Sequence, residues 1–154
     1  MKPYADTNLF TRLYLQLPET PVALRWIEQA RRSASSSIPI TWLHRMEFTN
    51  AVEQHVYAGN SGQVRVTPEQ AAMALMSFRD DLSREEFLHT SIIDLHELER
   101  QFEELSLRHT AKHGFRTYDL LHVASALLFE CDTFWTFDPK ALKLAALEGF
   151  KIRH

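Results

Sequence analysis

Four acids stand out by where they fall in the chain. Asp6 closes the first apolar-aromatic stretch in "KPYADTNLF", Asp119 opens the apolar run "TYDLLHVASALLF", and Asp138 follows "TFWTF" directly before a proline. Glu47 lies in a helical pattern with Leu43 and Ala51, on a face where an acid is out of place unless paired or ligating. Singly, each aspartate has a plain structural use: Asp6 and Asp138 suit helix caps, and an acid in a first helical turn is favoured by the helix dipole. Together they carry a different chemistry. Carboxylates gathered at one place repel one another and resist ionisation unless a cation sits among them. Hard divalent ions such as Mg²⁺ or Mn²⁺ favour such oxygen ligands, and an ion held there activates water and neutralises a phosphate under attack. The chemistry this points to is phosphodiester hydrolysis.

The elements that would gather these acids can be read from the chain. Thr20-Pro21 reads as an N-cap and first helical residue, with Val22, Trp26, Ala30 and Ala34 on one face. "SASSS", Ser33 to Ser37, reads as a loop, and "IPITWL" as a short buried strand from about Ile38 leading into the helix of Glu47. "AGNSGQVRV" reads as a loop, Thr67-Pro68 as a helix start and "HTSIIDL" as a strand. "HELERQFEELSLRHTAKHG" is a charged helix closed by Gly114. Thr117 is the expected cap of the following helix, which is apolar on nearly every side. "TFWTF" is a strand, Asp138-Pro139 opens the last helix and "FKI" is a final short strand. Strands alternating with helices imply a parallel sheet covered on both faces, in which the turns after the strands meet at one edge.

Composition limits the alternatives. With 154 residues and 45% hydrophobic content, one well-buried domain is expected. Cys131 is the only cysteine, so neither an intrachain disulfide nor a thiolate zinc site is expected. No run of eighteen apolar residues occurs and the start of the chain lacks a basic-then-apolar leader, so the expectation is a soluble cytoplasmic protein without membrane association. A net charge of −3 speaks against coating nucleic acid, though not against local binding through a few cations.

"YADTNLF", "LHRMEFTNAV", "TYDLLHVASALLFECDTFWTFDPKALKLA" and "GFKI" resemble a PIN domain, in particular the ribonuclease toxins of VapC type from toxin–antitoxin pairs. The resemblance runs over essentially the whole chain and is most specific in its last third. It implies a single domain of three-layer α/β/α build with a central, mainly parallel sheet. It also implies Mg²⁺ or Mn²⁺ as cofactor, an RNA substrate, a small antitoxin partner and a homodimer. By resemblance, Asp6, Glu47, Asp119 and Asp138 fill the catalytic, metal-binding positions, with Asn8 and Thr136 as polar supports. Arg116 and, more faintly, Lys112 are candidates for holding RNA phosphate. His122 reads as a packed histidine, and Trp26, Trp42 and Trp135 as core. Two other readings compete: a catalytically silent PIN-like binding module, and a phosphatase of haloacid dehalogenase type. The phosphatase chemistry wants a second aspartate two residues after the first, where this chain has Asn8.

Overall fold

The computed structural model describes residues 1–32, 37–59 and 66–153. The chain forms two compact units, one of Met1–Asp6 with Ser91–His154 and the other of Thr7–Thr90.

In the first unit a three-stranded parallel sheet has the order β1 (Pro3–Ala5), β4 (Thr133–Trp135), β5 (Lys151–Arg153). Tyr4 pairs with Phe134 in register, and their rings stack with centroids 5.5 Å apart. Phe150, just before β5, closes on Phe134 at 5.8 Å. These aromatic side chains supply large buried apolar areas from very short strands. The unit's helices are α5 (Leu95–His113), α6 (Thr117–Leu128) and α7 (Pro139–Leu147). Helix α5 begins on Asp94, whose carboxylate accepts from the amides of His96 and Glu97, and it ends on Gly114 at φ 65°, a left-handed conformation that glycine adopts without Cβ strain. Helix α6 buries Leu120 and the whole run from His122 to Ala126, as its all-round apolarity requires.

The second unit pairs β2 (Ile38–Ile40) in parallel with β3 (Leu88–Thr90) and adds α1 (Thr7–Tyr14), α2 (Thr20–Arg31), α3 (Trp42–Gly59) and α4 (Pro68–Arg84). Its core is an aromatic cluster of Phe10, Tyr14, Phe48 and Phe78, in which the Phe48 and Phe78 rings lie 4.8 Å apart. Helix α4 starts on a full capping box, Thr67 and Gln70 each bonding the other's backbone amide. The α/β class with parallel strands is thus the one expected.

Several local expectations need correction. The strand placed in "HTSIIDL" is Leu88–Thr90 and ends before most of that segment, since Ile92 is 94% exposed and Asp94 is committed to capping α5. Thr20 does not cap α2, whose N-cap is Glu19. The Thr20 hydroxyl instead donates to the carbonyls of Arg12 and Leu15, satisfying the end of α1. Thr117 does not cap α6 either, because Arg116 holds that place and the Asp119 side chain bonds its amide. Trp26 and Trp135 are buried as expected and Trp42 is half-buried. The buried stripe of α2 is Ala23, Trp26, Ile27 and Ala30; Ala34, most of "SASSS" and residues 60–65 of "AGNSGQVRV" fall outside the described residues.

Candidate active site

The parallel register of β1 and β4 builds the centre of the site. Ala5 pairs with Trp135, so the next residues, Asp6 and Thr136, leave the sheet side by side at its C-terminal edge. There the Thr136 hydroxyl donates to Asp6 Oδ2 at 2.5 Å, with both side chains buried. The same hydroxyl accepts the amide of Asp138 at 2.9 Å. One threonine therefore ties the carboxylate after β1 to the turn after β4.

Asp138 continues the connection. Its Oδ1 accepts the amides of Lys140 and Ala141 at 2.7 and 3.2 Å, capping α7 as its place before Pro139 suggests, and its Oδ2 takes a 2.5 Å bond from Arg116 Nη2. Partial burial pushes the Asp138 carboxyl up, but the Arg116 guanidinium and the two cap amides outweigh it and hold the group below the usual carboxylate range.

Arg116 then reaches the third acid. Its Nη2 lies 2.8 Å from Asp119 Oδ1, its Nε 3.0 Å from Oδ2, and its backbone amide 3.0 Å from Oδ2. Bonding to Asp119 first and Asp138 second raises the guanidinium pKa further above its already high value. Asp6, Thr136, Asp138, Arg116 and Asp119 thus form one continuous hydrogen-bonded chain. The signal for the Arg116 bridge was present in the spacing: an arginine three residues before an acid at a helix start lies within its reach.

The remaining candidates are Lys112, Glu47 and Asn8. Lys112 is exposed near the end of α5. Glu47 and Asn8 belong to the other unit, half-buried on α3 and α1. The buried residues of α3 are Leu43, His44, Phe48 and Val52, and Glu47 follows Leu43 by one turn on the face expected for it. His44 is buried, a burial that no local sequence pattern marks; its Nδ1 accepts the Thr41 amide at 3.1 Å at the start of α3. His122 is packed in α6, as expected, with its Nδ1 2.9 Å from the Tyr4 hydroxyl.

Among the described residues, no three or more His, Cys, Asp or Glu side chains stand close enough to hold an ion jointly. The donor set of the first unit nevertheless fits a hard divalent ion in kind. It is made of carboxylate oxygens, and a positive group already stands between two of them.

No protein-family profile matches the chain, and no curated protein matches it in sequence. Its fold is that of a PIN-like domain. It superposes on the crystal structure of VapC20, a sarcin–ricin loop cleaving toxin of Mycobacterium tuberculosis, with a TM-score of 0.66 at 15% identity over 99% of this chain and 100% of the other. Among the described residues no helix is long and apolar enough to cross a membrane.

Proposed function

We propose that this protein is a metal-dependent endoribonuclease, the toxin of a toxin–antitoxin pair, and that its two units make up one PIN-like nuclease domain. The observation that carries the reading is the linkage of Asp6, Asp138 and Asp119 through Thr136 and Arg116 at the ends of β1 and β4. A buried aspartate bonded only to keep a fold in place has no need of two further acids on the same chain of hydrogen bonds. The likeness to a toxin that cleaves the sarcin–ricin loop adds support at the level of fold.

Asp6, Asp119 and Asp138 are the proposed ligands of Mg²⁺ or Mn²⁺ within the first unit, on the sequence resemblance and their shared chain of hydrogen bonds; holding the ion jointly requires them to close around it. Glu47 is the proposed fourth, an assignment that rests on the sequence resemblance. A divalent ion bound there supplies an activated water and neutralises charge on the scissile phosphate. Thr136 orients Asp6, Asn8 is a polar support on α1, and Arg116 and Lys112 bind RNA backbone phosphates. The proposed partners are an RNA substrate, a small antitoxin that silences the enzyme, and a second copy of the chain in a homodimer, in the cytoplasm.

Asp6→Asn and Asp119→Asn separate this reading from a purely structural one. Asparagine keeps size and hydrogen-bonding capacity but removes the charge an ion needs. The expected result is a folded protein that no longer cleaves RNA. Full cleavage by both variants would return these aspartates to a structural role and favour the silent binding module.

A further inference from the structure

We propose that Arg116 is a built-in counter-cation of the carboxylate site, seated between Asp119 and Asp138 until a divalent ion displaces it. The proposal deepens the nuclease reading and rests on it. One nitrogen, Arg116 Nη2, bonds both acids, 2.8 Å from Asp119 Oδ1 and 2.5 Å from Asp138 Oδ2. Both carboxylates meet one positive atom, so a divalent ion binding them would compete with the guanidinium for the same two oxygens.

The other bonds of these acids explain why the exchange leaves the site intact. With the guanidinium gone, Asp119 Oδ2 keeps the backbone amide of Arg116, and Asp138 Oδ1 keeps the amides of Lys140 and Ala141. Asp119 Oδ1 and Asp138 Oδ2 lose the shared nitrogen, and Asp119 Oδ2 loses Arg116 Nε while keeping that amide. Exposure points the same way. The Arg116 side chain is 55% exposed and can swing into water, whereas Asp119 is 5% and Asp138 26% exposed. The mobile partner is the cation. A displaced guanidinium beside the site is then free to pair with an anionic phosphate, an interaction its planar fork suits.

Arg116 therefore lowers the metal affinity of the site while stabilising the metal-free protein. Calorimetric titration with Mn²⁺ of the parent, Arg116→Gln and Arg116→Lys, with melting curves of each with and without Mn²⁺, tests this. Arg116→Gln is expected to bind Mn²⁺ at least about ten-fold tighter, to melt lower without metal and to gain more from Mn²⁺; Arg116→Lys, a point charge without the fork, is expected to fall between. Unchanged or weaker Mn²⁺ binding by Arg116→Gln overturns the proposal, and if Asp119→Asn still abolishes binding in that case, the metal assignment itself survives. Absence of Mn²⁺ binding in both parent and Arg116→Gln overturns the proposal together with the metal assignment. Should Arg116→Gln fail to fold, Arg116→Lys decides alone, and binding no tighter than the parent's counts against the proposal.

Discussion

Replacing Thr136 by valine removes one hydroxyl and almost no volume, yet it cuts two links of the carboxylate chain. The first is the 2.5 Å bond to the buried Asp6 carboxylate. A hydrogen bond to a charged group contributes about 1.5–3 kcal/mol. The second is the 2.9 Å bond from the Asp138 amide, which sits in a half-buried turn where water takes up part of the loss, so about 0.5–1 kcal/mol is at stake. Together, Thr136→Val should cost roughly 2–4 kcal/mol, and since a domain of this size loses about 2–4 °C in Tm per kcal/mol, the melting midpoint should fall by roughly 4–16 °C. Thr136→Ser keeps the hydroxyl and loses only a methyl group, so it should stay within about 1 kcal/mol of the parent. Urea unfolding followed by circular dichroism, with unchanged slopes, reads both values. A valine variant as stable as the parent, or a serine variant as weak as valine, would refute the role given to the hydroxyl.

Three further predictions concern other parts of the molecule. Burial pushes the Cys131 thiol up to about 12 from 9.0, so between those values the folded chain holds a proton that the unfolded chain has released, and stability falls as pH rises by at most about 1.4 kcal/mol per unit; Cys131→Ala should flatten the fall measured between pH 9 and 11. The Tyr14 hydroxyl donates to Asp81 at 2.9 Å within the aromatic cluster, so Tyr14→Phe should destabilise by about 1–2 kcal/mol in urea titrations, and a neutral result would mean that water replaces the bond without loss. Glu47→Gln should weaken Mn²⁺ binding in calorimetry without lowering the metal-free melting temperature; a lower melting temperature with unchanged binding would mark Glu47 as an ion-pair partner instead.

Most elements were legible because their signals are local. Pro139 behind Asp138, Gly114 behind Lys112 and His113, and the apolar run from Leu120 to Ala126 each declare a boundary or a burial within a few residues. What stayed hidden depends on neighbours distant in the chain. The Thr20 hydroxyl bonds the carbonyls ending α1, five and eight residues back. The extent of β3 is fixed by its pairing with β2, not by the apolar Ile92 and Ile93 that suggested a longer strand. At the site, the convergence of Asp6 with Asp138 followed from parallel topology, but the means did not. In the sequence Thr136 reads as a polar support and Arg116 as a cation for RNA phosphate; the β1–β4 register and the Asp119 cap set them between the acids.

The measurement that bears most directly on the central claim is cleavage of an end-labelled RNA by the purified, antitoxin-free protein, with Mg²⁺ or Mn²⁺ and again after EDTA, run beside Asp119→Asn. Cleavage that requires the ion, stops with the chelator and is lost in the variant is the predicted result. Cleavage undiminished by EDTA, or retained in full by Asp119→Asn, would contradict the account.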